Sequence, residues 1–580
     1  MSLDIARLVA FSGISATELQ ISVASSNISN ADTTGYTRKS ANQVTNVTGG
    51  VGTGVTITGI SSNVDKLLLK SLIGANSELG AADTTNSYLA QLQQLFGSAS
   101  TSGTSTTGTS LANSLASLES ALSSLASSPS SVSLQSAAVS ALDDFASQLR
   151  STSSGVQTLR GNADKDIASS VQSVNDDLKQ IADLNVEIRE MAASGQSTAD
   201  LEDERNSALQ DLSSYMNVSY YTASNGDLQI YTSSGRALVD SSAHTLSYTA
   251  SANVSASSSF SGIMVDGVDV TSQITSGKIG SLIALRDDTL PAVQTQLDQL
   301  ASQLKSALNG ITNDASAVPP PNTLTGTASV SNTTALSASG TVRIAVADQS
   351  GNLVSYQDLD LSSYATVGDL VTALNGISGV SASIDSSGHL SISATSSSNG
   401  IAINDMTSAI GSGGFSDYFG MNDLVTGTSA ANFAVNSSIL SGAAGLPTGT
   451  LDSSATLTTG SQVLTAGSAT VISALYDKLT GSTSFSSAGG LSATTGSFAD
   501  YAAAIVANVA SKASQASSAY TAKSTAQSSY ASSLSSQSGV NLDEETARLS
   551  SLQNKYAAAS QLISVINSMF SSLLTAVQST

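Results

Sequence analysis

NLDEETARLSSLQNKYAAASQLISVINSMFSSLLTAVQST, residues 541–580, decides how this chain is read. Leu542, Leu549, Leu552, Tyr556, Ala559, Ile563, Ile566, Phe570, Leu573 and Val577 follow the alternating three-and-four spacing of a heptad seam, broken only at Glu545. After Lys555 no charged side chain follows, so the faces away from the seam carry Ser, Ala, Asn and Gln. A helix with one wet face normally shows Lys and Glu there. This one expects protein on several sides. The other end of the chain matches it: Phe11, Ile14, Ile21 and Ile28 recur at helical spacing, and Glu18 is the only charge between Arg7 and Asp32. Spacing alone leaves open whether the two ends form an internal coiled coil or a polymer contact.

Composition narrows the field. A chain of 580 residues exceeds one core, and about 100 to 200 residues per domain implies several domains. Charged residues are 11% of the chain, against roughly 25% in ordinary proteins. With 21 Lys plus Arg against 43 Asp plus Glu, the net charge of −22 repels phosphate and anionic lipid. Nucleic acid and membrane are therefore not expected partners. There is no Cys, and His244 and His389 are the only histidines, which removes disulfides, thiolate metal sites and His-based zinc. The start, MSLDIARLVAFSGISATELQ, lacks a basic segment followed by an unbroken apolar core, so no cleaved signal is expected. No unbroken run of about 18 apolar residues occurs, and the expectation is that nothing spans a membrane.

Along the chain the hydrophobic period alternates. DTTGYTR (Asp32 to Arg38) reads as a turn, and VTGGVGTGVTITGI as a strand or hairpin. Helical stripes follow at Val64 to Phe96, Leu111 to Ala126, Val132 to Leu159 and Ile167 to Met191. Near Met216 the period falls to 2, with strands around Asn225-Gly226. Helix returns with Leu290, Leu297, Leu300, Leu304 and Leu308, until Pro319, Pro320 and Pro321 break it.

The expected fold is α+β and multidomain: a discontinuous helical bundle or coiled coil built from both termini, with inserted β-rich outer domains. Its parts are an N-terminal assembly helix and turn (1–58) pairing with a C-terminal coiled-coil helix (538–580), a helical domain (59–216) and a β-rich domain (217–275). A returning helix (276–318) leads to an α+β insert (319–430), a Ser/Thr/Gly-rich connector (431–494) and a long helix (495–537).

NISNADTTGYTR (Asn27 to Arg38) and SGVNLDEE (Ser538 to Glu545) resemble segments of the flagellar axial proteins of rod, hook and hook-associated type. Interior stretches, SLASSPSS, IADLNVEI, DLEDERN, RDDTLPAVQTQLDQLA and FSDYFGMNDL, narrow the resemblance to the hook-associated protein 1 family. Thr33-Thr34 stands where a Thr-Pro pair is common, which loosens the turn. The resemblance implies a structural subunit that polymerises with itself, in a ring or short helical zone, at the junction of hook and filament. It also implies an inner tube of paired terminal helices around an export channel, and contacts with the hook protein and a second junction protein. A cytosolic export chaperone would cover the C-terminal helices, and the protein would work outside the cell, in the flagellum. Alternatives are another axial protein, such as the hook subunit, or an adhesin or glycan binder acting through the 319–430 insert.

Site residues follow from the same reading. Phe11, Ile14, Ile21, Ile28, Leu542, Leu549, Leu552, Tyr556, Ile563, Ile566, Phe570 and Leu573 are assigned to packing between helices of the assembly. Asn27, Asn30, Gly35, Tyr36 and Arg38 are read as helix end, turn and subunit contact. Because an unpartnered helix of this kind is marginal, both ends are expected to be frayed until neighbouring subunits bury them.

Enzymatic readings find no footing. GGVGTG (Gly49 to Gly54) lacks the Walker lysine and a following helix. His244 and His389 read as surface or turn residues, and Asp200, Glu202, Asp203 and Glu204 as a solvated helix face. Arg205 and Arg286 are expected in local salt bridges. No catalytic residue, cofactor or metal site is expected, and the chain is read as a non-enzyme.

Overall fold

The computed structural model describes residues 3–97, 110–465 and 468–578. The ends of the two terminal segments, part of the helical domain and residues 466–467 of the Ser/Thr/Gly-rich stretch lie outside the described residues. Helix α1 (Leu3–Ser29) leads into a hairpin of β1 (Lys39–Thr48) and β2 (Val51–Ser62). Then come α2 (Lys66–Leu95), α3 (Leu111–Ser127), α4 (Val132–Ala193) and α5 (Ala199–Tyr215). Strands β3 (Ser219–Thr222), β4 (Leu228–Tyr231) and β5 (Ala237–Val239) form one small antiparallel sheet. Gly226, at φ +89°, supplies the left-handed position in the loop joining β3 to β4. Helices α6 (Gly277–Ala284) and α7 (Leu290–Thr312) follow, joined by a π-helical turn, Leu285–Thr289.

The insert is β6 (Thr323–Ser329), β7 (Thr341–Asp348), β8 (Leu353–Asp360), α8 (Val367–Asn375), β9 (Val380–Ile384), β10 (His389–Ala394) and β11 (Asn399–Asn404). Helices α9 (Ala469–Thr480), α10 (Phe498–Ser538) and α11 (Leu542–Gln578) complete the elements that matter here.

Two compact units emerge. The first is Met1–Tyr88, Gly161–Arg286 and Ser514–Thr580; the second is Leu89–Arg160 and Asp287–Ala513. In the second, α3 buries Leu111, Leu115, Leu118, Leu122 and Leu125 at three-and-four spacing, and its N-cap Ser110 accepts from the Asn113 amide. It packs on α9, which contributes buried Val471, Ile472, Leu475 and Leu479. The insert's two three-stranded sheets are antiparallel, ordered β8-β7-β11 and β6-β10-β9. Strand β7 is buried on both faces: Val342, Ile344 and Val346 enter one core, and Ala345 and Ala347 enter another with Leu451, Val463 and Leu464. Arg343, fully buried on that second face, makes two hydrogen bonds to Asp358, at 2.7 and 2.8 Å. It also donates to the carbonyls of Asp452 and Ser454. The Ser/Thr/Gly-rich stretch is thus packed structure, because its sparse Leu and Val residues fall where two cores need them.

One reading of the helices is corrected. Val132 to Leu159 and Ile167 to Met191 are a single 62-residue helix, α4. The stretch RGNADKD between them is helical too, and Asp164 within it is fully buried and ion-paired to Arg286 at 3.0 Å. Asp177, further along α4, is a stored cost. Burial above all, then Asp211 and Asp176, push its carboxyl up to about 7, and its Oδ2 has no hydrogen-bond partner. The folded state therefore holds a proton that the unfolded chain releases near pH 4, so this group's favourable contribution is lost as pH rises from about 4 through about 7. Asp177→Asn is expected to raise the melting temperature at pH 8 and leave it unchanged below about pH 4; an equal shift at both pH values would contradict this.

Candidate assembly interface

The turn after α1 is held by one side chain. Asn27, fully buried, donates from Nδ2 to the Lys39 carbonyl at 3.0 Å, and its Oδ1 accepts from the Lys39 amide at 3.0 Å and the Tyr36 hydroxyl at 3.0 Å. An amide side chain thereby completes a strand-like pair of hydrogen bonds and closes the loop. Asn30 donates to the Ser26 carbonyl, ending α1, and Gly35, at φ +81°, lets the chain reverse. Gly54 serves a different need: a Cβ there would lie 2.4 Å from Ser12 Oγ. Its absence lets β2 close on α1, where Ser12 Oγ accepts from the Val55 amide at 3.1 Å.

Arg38 and Lys39 then reach to opposite partners. Arg38 donates from Nε to Glu545 at 2.7 Å and from a terminal nitrogen to Glu544 at 2.8 Å, while its amide donates to the Ser538 carbonyl at 2.8 Å. Lys39 Nζ, buried, pairs with Asp200 at 2.6 Å and Asp203 at 2.9 Å and stands 3.6 Å from the centre of the Tyr36 ring. Burial works against its charge, but the two carboxylates outweigh burial and raise its pKa above the ordinary lysine value. Asp203 also accepts from the Thr37 amide and hydroxyl.

Helices α1 and α11 pack together. They run antiparallel: Arg38, just past α1, meets the start of α11, whereas Arg7 near the start of α1 stands over the Phe570 ring at 5.9 Å. Arg7 heads the row Ile14, Ile21 and Ile28, all half-buried, with Ala10, Thr17 and Ala24 buried three residues on. On α11 the heptad seam splits into two rows. Glu545, Leu552 and Ile566, multiples of seven apart, are buried; Leu549, Ile563 and Phe570 are half-buried; Leu542, Tyr556 and Leu573 are exposed, as is Phe11 on α1. Beside the seam runs a second stripe, Leu562, Val565 and Met569, which with Leu573 is at least half exposed. Within one chain the seam is half closed.

Several charged residues are corrected. Asp203 is buried and load-sharing rather than solvated. Arg205 makes no salt bridge; it donates to Asn185 Oδ1 and the Gly226 carbonyl, both at 2.9 Å, and burial lowers its pKa. Arg286 pairs with Asp164, 122 positions away. His244 sits between Asp240 and Asp266. Gly49 and Gly50 form the tip of the β1-β2 hairpin. Among the described residues no group of three His, Asp or Glu is placed to hold a metal. By length and composition alone, α1 and the stretch Phe498–Gln578 are long and apolar enough to cross a membrane. Scattered Ser and Asn interrupt the apolar run without making the helices polar.

Sequence reasoning missed Lys39, Asp203 and Ser538 as parts of this junction. The break in the seam at Glu545 was the available signal. A heptad row interrupted by one carboxylate demands a cation, and Arg38 supplies it.

Comparison with known proteins assigns these features. Residues 8–37 match the flagella basal body rod protein family and residues 531–576 the C-terminal family of the flagellar basal body rod FlgEFG proteins. Residues 341–396 match the flagellin hook IN motif. Both ends of the chain thus match families of flagellar basal body rod proteins. Between them, residues 80–317 match the helical domain of the flagellar hook-associated protein FlgK. Flagellar hook-associated protein 1 of Salmonella typhimurium and that of Escherichia coli are each 24% identical over 313 residues, 52% of this chain and 55% of the relative. The chain thus spans about half the length of the curated relatives it matches. The flagellar hook junction protein FlgK from Burkholderia pseudomallei is 17% identical, with a TM-score of 0.47 over 80% of this chain and 98% of that one.

Proposed function

We propose that this chain is a structural subunit of the flagellum that polymerises at the junction of hook and filament through its paired terminal helices. The carrying observation is the half-closed seam: α1 covers one row of α11, while Leu562, Val565, Met569 and Leu573 stay at least half exposed. Neighbouring copies complete it, and the hook protein and a second junction protein meet the ends of the resulting zone. Before assembly the same stripe needs covering, which is the task of a cytosolic export chaperone, and the protein leaves the cell without a cleaved signal. Its role is mechanical rather than catalytic.

A deletion strain tests this. Hooks present with filament protein released into the medium supports a junction role; bare rods without hooks would place the protein earlier. The interface also predicts graded order. Near Asn27 and Glu545 the helices are clamped by hydrogen bonds and an ion pair, whereas their far ends bury little. In dilute solution, amides of 22–28 and 545–552 are expected to exchange more slowly than those of 3–10 and 566–577, and the latter to gain protection on assembly. Far-end amides as protected as the α4 core would refute the idea.

A further inference from the structure

The seam between α1 and α11 repeats itself. The buried row of α11 is Glu545, Leu552 and Ile566, with half-buried Ala559 at the step between the last two, and α1 offers Ile14, Ile21 and Ile28 beside Ala10, Thr17 and Ala24, each row stepping by seven. A slip of one heptad moves one helix about 10.5 Å along the other and sets like residues against like. Apolar contact alone therefore discriminates poorly between registers, as in coiled coils whose register depends on a single polar seam residue. Glu545 is the only charged side chain in its row. It is 1% exposed, with Oε1 held by Arg38 Nε at 2.7 Å and Arg548 more distant at 3.8 Å. Its Oε2 has no hydrogen-bond partner. A slipped register would strip Arg38 away and leave a bare carboxylate against Ala or Ile, the costly way to break a buried pair.

We infer that the Arg38–Glu545 pair sets the register in which the two ends of the chain meet, and is a specificity-determining contact rather than a source of stability. Its consequence for assembly rests on the terminal helices being the assembly surface. Buried pairs of this kind are often replaceable by apolar residues without loss of stability, and fixing register is their best-attested use.

The chain has no cysteine, so Ser22→Cys with Gln553→Cys, both positions exposed, accepts two nitroxide labels without background. Dipolar distance measurement on the full chain is expected to give one narrow distance. In the Arg38→Met/Glu545→Leu background the melting temperature is expected to hold or rise while the distance splits or broadens by about a heptad. The swapped pair Arg38→Glu/Glu545→Arg should restore a single distance. In cells, filament attachment should fall at least tenfold for the apolar pair and recover with the swap. One narrow distance in the apolar pair overturns the inference, because the Arg38 amide bond to Ser538 would then suffice. Lost register with normal filaments would uphold the inference and overturn the assembly-surface reading instead. Should the apolar pair fail to fold by circular dichroism, Arg38→Gln/Glu545→Gln is measured against the same two outcomes.

Discussion

Replacing Leu562, Val565, Met569 and Leu573 together by glutamine should lower the stability of the isolated chain without unfolding it and abolish filament attachment. Glutamine is nearly as good a helix former as leucine, so α11 itself is preserved. The four side chains are half or more exposed, so the folded monomer leaves at least half of their burial unused. In a polymer the remaining half becomes buried. Taking about 1.5 to 3 kcal/mol for full burial of each, the four forfeit about 3 to 6 kcal/mol per subunit contact. That is about two to four powers of ten in affinity. A deletion strain complemented with this variant is expected to build hooks, lack filaments and release filament protein into the medium. Normal filaments would show that the stripe is not the interface. The change of melting temperature in the purified variant separates loss of assembly from loss of fold.

The stripe shows where sequence reading works and where it stops. Three-and-four spacing located α11, and the missing charge after Lys555 signalled extra partners. Spacing could not say which heptad row faces α1, since both rows are equally apolar; that depends on Arg7 over Phe570 and Arg38 on Glu545, contacts between residues more than 500 positions apart. Low complexity concealed a different part of the fold. Leu446, Leu451, Val463 and Leu464 are sparse among Ser, Thr and Gly, and no period connects them. Yet each is buried in the second unit. A packed segment without regular helix or strand has no period to read.

Charge misled most where it was buried. Between the stripes that stop at Leu159 and resume at Ile167, RGNADKD carries four charges in seven residues, and the partner of its Asp164, Arg286, lies far along the sequence. Asp164 accepts from Arg286 at 3.0 Å, from the Ser251 amide at 2.6 Å and from the Tyr248 hydroxyl. The Arg286 guanidinium in turn lies 4.3 Å from the centre of the Phe260 ring. Both partners are almost wholly out of water. Removing Asp164 therefore takes from Arg286 a buried carboxylate that balances its charge, in a site almost wholly out of water. Asp164→Ala is expected to destabilise the chain by about 3 to 5 kcal/mol, read as a lower urea midpoint with unchanged slope. Asp164→Leu combined with Arg286→Met keeps the packing and removes both charges, and should recover most of that loss. The double-mutant cycle decides the matter: strong coupling between the two positions confirms a paired burial. A single Asp164→Ala loss under about 1 kcal/mol would mean that Arg286 finds water once its partner is gone.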